Sequence, residues 1–195
     1  MFRVLLGGLI GALIAFLWSF VSWSLLPWHE ATMHQFCDQE YVQKVIKENS
    51  PKSGVYLAPF PNCDQLEKEG ATSGVEAHYA ALKKGPLIYA QVDLEGMDPS
   101  QPSIYLYSLL TQFLGATLIC ALLRQASQLS YGGRLLFVTA NGLIVGILGF
   151  LPAWNWFGAG AMYTLVMIAD VVVTWFLAGL FIAALFKKKR TLIEI

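Results

Sequence analysis

The stretch VLLGGLIGALIAFLWSFVSWSLL, residues 4–26, decides the fold class, because it carries no charged side chain along its whole length. About 20 consecutive apolar residues are enough for an α-helix to cross the hydrocarbon core of a bilayer. Three further apolar stretches follow at residues 104–123, 135–151 and 161–186. The sequence therefore predicts four transmembrane helices.

Composition supports a membrane location for the whole chain. Hydrophobic residues make up 56% of the 195 residues and charged residues 13%, about half of the ~25% that is usual in soluble domains. The formal net charge of +0 gives no reason to expect a nucleic-acid partner. The partner expected from composition is the lipid bilayer.

The distribution of charge predicts the orientation of the helices. Four crossings place the basic residues Arg3, Arg124, Arg134 and 187–190 on one side of the membrane. Residues 27–103 lie on the other side, with six Lys and eleven Asp or Glu, a net charge of −5. The positive-inside rule then puts both termini in the cytoplasm. An aromatic belt at the outer interface is formed by Trp23, Trp28, Trp154 and Trp156.

The predicted fold is a membrane α-helical bundle of four helices with a small α+β extracytoplasmic domain inserted between helices 1 and 2. Residues 1–27 form the first helix, 28–103 the extracytoplasmic domain, and 104–195 helices 2–4 with a short basic tail. Within the inserted domain, Asp38 is predicted to cap a helix that starts at Gln39. Two short strands, at residues 54–60 and 87–94, flank a second helix at residues 75–84.

The first apolar stretch has two interpretations. It is longer than the 7–15-residue core of a signal peptide and lacks a small-residue cleavage site, which favours an uncleaved anchor. Gly7, Gly8 and Gly11 provide a small-residue face for close helix packing. We expect that face to pack against another helix of the same chain, with a homodimer contact as the alternative.

Cys37 and Cys63 are the only cysteines in the inserted domain. A disulfide between them would close a loop of about 25 residues and contribute roughly 3 kcal/mol in the chain-entropy model. The predicted extracytoplasmic compartment is oxidising, which favours the bond. Two separate free thiols are the alternative, because sequence spacing does not establish proximity.

The segment HEATMH, residues 29–34, resembles the zinc-protease signature H-E-x-x-H but holds one extra residue. Two histidines five residues apart diverge by about 140° on a helix, so they do not share a face. His34, Cys37 and Asp38 have metal-ligand spacing, but interfacial histidines are the favoured interpretation of the segment. No complete catalytic motif is present, and we expect neither a metal nor another cofactor.

Asp170 is the only ionisable residue within residues 161–186. A carboxylate is costly in the bilayer core, which makes Asp170 a candidate functional residue. At ~1.5 Å per residue, it lies ~13 Å from the outer end of its helix. Each of the other helices offers a polar residue at about this depth: Ser19, Gln112 and Asn141. The sequence therefore predicts a polar layer in the outer half of the bundle.

This polar layer has two interpretations. Hydrogen bonds between helices, worth ~0.6 kcal/mol each on average, would hold the bundle together. Alternatively, Asp170 is a proton relay or a ligand-binding group in a small cavity. A single acidic residue without a basic partner in the membrane argues against a full ion-coupled transporter.

Several segments resemble a group of small, uncharacterised bacterial inner-membrane proteins with four helices. They are SWSLLPWH (22–29), PKSGVYLAP (51–59), KKGPLIYA (83–90), YGGRLLFV (131–138) and LPAWNWFG (151–158). The resemblance covers most of the chain and implies a bacterial plasma membrane. It implies no activity and no functional residues.

Three functions remain as hypotheses. The first is a non-catalytic accessory, assembly or scaffolding protein of an inner-membrane complex, with protein partners or self-association in the membrane. The second is a small transporter, channel or ligand-binding protein that uses the layer around Asp170. The third is a metal-dependent membrane enzyme that uses His29, His34 or Cys37.

Overall fold

The computed structural model describes residues 1–61, 71–126 and 128–186, without the side chains of residues 71–73. Within these ranges the chain forms six α-helices and two β-strands. In chain order they are α1 (Phe2–Ser24), α2 (Gln39–Asn49), β1 (Gly54–Ala58), α3 (Ala71–Lys84), β2 (Ile88–Val92), α4 (Pro102–Gln125), α5 (Tyr131–Phe157) and α6 (Ala161–Leu185). A single 3₁₀ turn, Glu30–Thr32, follows α1.

The four predicted membrane helices are confirmed as α1, α4, α5 and α6. They contain 23, 24, 27 and 25 residues, and the mean hydropathy of their most apolar windows is 1.8 to 2.4. At 1.5 Å per residue, each is long enough to cross a hydrocarbon core of ~30 Å. The chain is therefore a multi-pass membrane protein by helix length and composition.

The third membrane helix is longer than the sequence predicted. The apolar stretch at residues 135–151 suggested an end before Pro152, but α5 runs from Tyr131 to Phe157 and includes that proline. Proline removes one backbone hydrogen bond. Membrane helices tolerate this loss because neighbouring groups satisfy the freed carbonyl, whereas an open loop would leave many groups unsatisfied. Trp154 and Trp156 consequently belong to the last turns of α5.

The helices pack through small residues, as the sequence predicted for α1. A Cβ atom added to Gly11 would lie 2.9 Å from Ile182 Cδ1 on α6 and 3.0 Å from Ala116 Cβ on α4. Gly8 is equally close to α4, since an added Cβ would lie 3.2 Å from Thr117 Cα. The glycine face of α1 is therefore an intramolecular contact with two helices.

The chain divides into two compact units. One comprises the described parts of Met1–Met33, Pro99–Leu151 and Gly160–Ile195, and the other comprises those of His34–Asp98 and Pro152–Ala159. The first unit therefore includes residues 28–33, which directly follow α1. The residues that return from α1 thus belong to the same unit as α1, α4, α6 and the part of α5 up to Leu151.

The second unit contains the predicted α and β elements. Asp38 caps α2 as predicted, with its Oδ1 accepting a 2.9 Å hydrogen bond from Tyr41 N. Strands β1 and β2 pair antiparallel, with Gly54 opposite Val92 and Ala58 opposite Ile88. The strands form a two-stranded sheet, and α3 lies between them in the chain.

Candidate functional site at the end of the first helix

Asp170, on α6, is buried with 7% of its surface exposed, and two side chains of α1 donate to it. Trp18 Nε1 donates to Asp170 Oδ1 at 2.7 Å. Ser22 Oγ donates to the same oxygen at 2.8 Å. Trp18 and Ser22 are four residues apart, so they lie one turn apart on the same helix face. These two hydrogen bonds connect the end of α1 to the middle of α6.

The chain reverses direction after α1 and returns over its last turn. The backbone N–H groups of Leu25 and Leu26 both donate to Val21 O, which ends the helix. Pro27 follows, and its carbonyl accepts a 2.9 Å hydrogen bond from Ala31 N. This compact turn directs the rings of residues 28 and 29 back towards α1.

Two tryptophans hold His29 in this position. The imidazole of His29 stacks on Trp23, with ring centroids 3.9 Å apart and planes inclined by 7°. Trp28 meets His29 edge to face at 5.3 Å. Trp28 Nε1 also donates to Ser22 Oγ at 3.0 Å and lies 3.2 Å from Ser22 O. His29 is thereby buried, with 2% of its surface exposed.

His29 approaches both Ser22 and Asp170 through its Nε2 atom. That nitrogen lies 3.0 Å from Ser22 Oγ and 3.4 Å from Asp170 Oδ2. The Ser22 hydroxyl already donates its one hydrogen to Asp170, so it accepts the hydrogen of His29 Nε2. Trp18 and Ser22 thus both donate to one carboxyl group, and His29 Nε2 lies beside it. We call Trp18, Ser22, His29 and Asp170 the Asp170 centre.

The arrangement offsets the cost of burying an acidic side chain among membrane helices. Hydrogen bonds to charged groups are worth about 1.5–3 kcal/mol each in soluble proteins, roughly twice the neutral value. The imidazole of His29 also lies close to the second carboxyl oxygen, with Nε2 at 3.4 Å from Oδ2. Asp170 is therefore a satisfied group.

Although a serine, a histidine and an aspartate meet here, they do not form a catalytic triad. In a triad the serine bonds one imidazole nitrogen and the carboxylate bonds the other. In this centre both groups face Nε2, and Ser22 donates to the carboxylate directly. His29 Nδ1 is buried and has no hydrogen-bond partner. The Ser22 hydrogen is consequently directed at the Asp170 carboxylate and not at an imidazole nitrogen.

Comparison with known proteins gives no family for this chain. No family model, curated protein or solved structure matches it. The chemistry of the Asp170 centre therefore rests on its own contacts.

Of the four residues predicted to form a polar layer, the Asp170 centre contains one. Ser19 Oγ donates to Ala15 O at 2.9 Å, and Asn141 Nδ2 donates to Phe137 O at 2.8 Å, each within its own helix. Gln112 is half-buried on α4, and no hydrogen bond joins it to Asp170 among the described residues. The common depth of the four stays a prediction.

Sequence reasoning missed Trp18, Ser22 and the part played by His29. The residue of α1 that the sequence analysis named, Ser19, is the chain neighbour of Trp18. Neighbours on a helix point about 100° apart, so only one of them faces α6. The sequence analysis took Trp28 and His29 as interfacial anchors, whereas the structure shows His29 packed inside the helical unit. Pro27, which favours a turn, was the feature of the sequence that could have indicated the return of His29 towards α1.

The remaining predicted residues lie elsewhere. His34 and Cys37 are exposed in the second unit. Cys63 falls outside the described residues, so the disulfide with Cys37 stays a prediction. Within the described ranges, no three His, Cys, Asp or Glu side chains lie close enough to hold a metal ion.

Proposed function

We propose that this chain is a multi-pass protein of the bacterial plasma membrane, with both termini in the cytoplasm and residues 28–103 outside. The support is the charge asymmetry, since residues 27–103 carry a net charge of −5 while the short segments opposite are basic. The resemblance of its segments to small bacterial inner-membrane proteins supports the same location. The four membrane-length helices are consistent with an even number of crossings.

This topology is testable with reporter fusions. Alkaline phosphatase joined after Gly85 should be active, because the enzyme folds only in an oxidising compartment. The same reporter joined after Gln125 should be inactive, and a cytoplasmic fluorescent reporter there should be bright. The opposite pattern would reverse the proposed orientation.

We further propose a non-catalytic role as an accessory, assembly or scaffolding protein of a membrane complex. One observation carries this proposal. The Ser22 hydroxyl donates to Asp170, and His29 uses the same nitrogen for both residues, so the one site resembling catalytic machinery is built as a clamp. Its two hydrogen bonds from Trp18 and Ser22 to Asp170 fix α1 against α6, and His29 joins the following turn to this contact.

The accessory role predicts a protein partner at defined stoichiometry. Purification from native membranes in a mild detergent, followed by native mass spectrometry, should give a complex of constant composition. Asp170→Asn should reduce recovery of that complex, since it loosens the clamp, while Asn141→Ala should leave it unchanged. A clean monomer, or self-association alone, would contradict the proposal.

A second candidate function is ligand binding at the Asp170 centre, as in a small transporter or channel. The observation that favours it is the buried Nδ1 atom of His29, which has no hydrogen-bond partner. A buried polar atom of this kind commonly marks a bound molecule. Native mass spectrometry should then detect a small molecule on the wild type that His29→Phe loses, while retained binding in that variant would exclude this site.

A further inference from the structure

Arg134 is a buried charged residue that the Asp170 centre does not use. It lies in the first turn of α5 with 8% of its surface exposed. Its Nε atom is buried and has no hydrogen-bond partner. The backbone N of Arg134 donates to Ser130 O at 2.9 Å, which belongs to the start of the helix. The Nε–H group of the guanidinium therefore lacks an acceptor within the described part of the chain.

Arg134 lies on the buried face of α5. The buried residues of this helix recur at every fourth position: Arg134, Val138, Gly142 and Gly146. Residues at this spacing share one helix face. A Cβ atom added to Gly179 of α6 would lie 3.3 Å from Val138 Cβ, which fixes α6 as the neighbour of this face. Arg134 is the charged residue at one end of this otherwise apolar contact between α5 and α6.

No described carboxylate pairs with this guanidinium. The ion pairs within the described ranges are His29–Asp170 and Lys44–Glu48. Arginine cannot lose its charge at accessible pH, so it cannot relieve its burial by becoming neutral. A largely buried charged group without a counter-charge destabilises the folded state. An anion from outside the chain would remove this cost.

The surroundings of Arg134 form the most basic end of the helical unit. Tyr131 Oη donates to Leu180 O at 3.0 Å, which places the start of α5 beside the last turns of α6. A Cβ atom added to Gly7 would contact both Cys120 and Phe186, so α1 begins where α4 and α6 end. Arg3 and Arg124 consequently lie at the same end as Arg134.

The start of α5 adds backbone donors beside this charge. The first N–H groups of a helix have no partner within the helix. Ser130 Oγ accepts from Gly133 N at 3.2 Å, but no hydrogen bond to Tyr131 N or Gly132 N is recorded among the described residues. Open space surrounds Gly132, because an added Cβ would meet no atom within 4 Å. A small anion has both donors and room here.

We propose that Arg134 binds a phosphate group, supplied by an anionic phospholipid at this end of the bundle. The planar guanidinium donates two parallel hydrogen bonds to phosphate oxygens, and basic pockets between membrane helices are suited to anionic head groups. The lipid phosphate supplies the acceptor for Arg134 at the contact between α5 and α6. This site is distinct from the Asp170 centre and does not depend on the proposed accessory role.

The test compares lipids on the full-length protein in a neutral detergent. Native mass spectrometry and thermal unfolding are followed while phosphatidylglycerol, phosphatidylcholine or inorganic phosphate is added. We expect the wild type to retain phosphatidylglycerol preferentially and to unfold at a higher temperature with it. Arg134→Gln should bind this lipid about tenfold more weakly, on the scale of one charge-assisted hydrogen bond.

Arg124→Gln is the matched control, because Arg124 is an exposed arginine at the same end. It should bind phosphatidylglycerol like the wild type. Equal binding by Arg134→Gln would overturn the site, and an equal response of the wild type to both lipids would overturn the preference for an anion. If inorganic phosphate alone matches phosphatidylglycerol, a lipid is not the source. Should Arg134→Gln not fold, the lipid comparison on the wild type decides.

Discussion

Trp18 Nε1 donates a 2.7 Å hydrogen bond to Asp170 Oδ1 across 152 residues of sequence. The bond joins the first membrane helix to the last. Ser22, one turn further along α1, donates to the same oxygen, so the contact is a two-point attachment. The end of α1 is thereby fixed relative to α6 in both depth and rotation.

Removing the indole donor should destabilise the helical unit. Trp18→Phe keeps an aromatic ring against Trp28 but loses the hydrogen bond to Asp170. We expect the free energy of unfolding in detergent to fall by about 1–2 kcal/mol, between the values for membrane and charged hydrogen bonds. Trp156→Phe, at a position 72% exposed, is the control and should change little. Equal stability of both variants would contradict the attachment.

His29 and Asp170 should be energetically coupled. A double-mutant cycle with His29→Gln and Asp170→Asn should give a coupling free energy of about 0.5–3 kcal/mol, because each variant removes the partner of the other. The comparison cycle pairs Asp170→Asn with Asn141→Ala. Since Asn141 donates within its own helix, that coupling should lie within about 0.5 kcal/mol of zero. Additive effects of the His29 and Asp170 variants would refute the coupling.

The close approach of α1 and α4 at Gly8 should not tolerate a methyl group. A Cβ atom on Gly8 would overlap Thr117 Oγ1 and lie 3.1 Å from Thr117 Cβ. Gly8→Ala should therefore lower the free energy of unfolding by about 1–3 kcal/mol, as overpacking does. Gly149→Ala has open space around it and is the matched control.

Thr117→Ala should restore part of the stability lost by Gly8→Ala. Thr117 Oγ1 is buried without a hydrogen-bond partner, so its removal sacrifices no described bond. A double variant no more stable than Gly8→Ala would show that the clash lies with the backbone of α4.

The predicted disulfide between Cys37 and Cys63 can be tested by counting the free thiols of the protein. The chain contains three cysteines. Protein isolated without reductant and then denatured should take up one maleimide, at Cys120, and three after reduction. Cys120→Ser should take up none before reduction. Three labels on the unreduced wild type would show that Cys37 and Cys63 are free.

The secondary structure of the membrane part was readable from the sequence because hydropathy adds up residue by residue. The uncharged run at residues 4–26 predicts a helix wherever its neighbours lie, since a helix satisfies its backbone groups in lipid within the segment itself. The cap at Asp38 was readable for a similar reason, because a capping bond spans only three residues. The extension of α5 through Pro152 was not readable, since tertiary context overrides a local breaker.

The composition of the Asp170 centre was decided by tertiary structure. Asp170 was identifiable in the sequence from the cost of a carboxylate among apolar residues. Which residue of α1 faces Asp170 depends on the rotation of α1 about its axis, and that rotation is set by the packing of Gly8 and Gly11. His29 enters only because the chain reverses at Pro27. The apolar run at residues 4–26 therefore determined that α1 exists, while contacts with α4 and α6 determined which of its side chains bind Asp170.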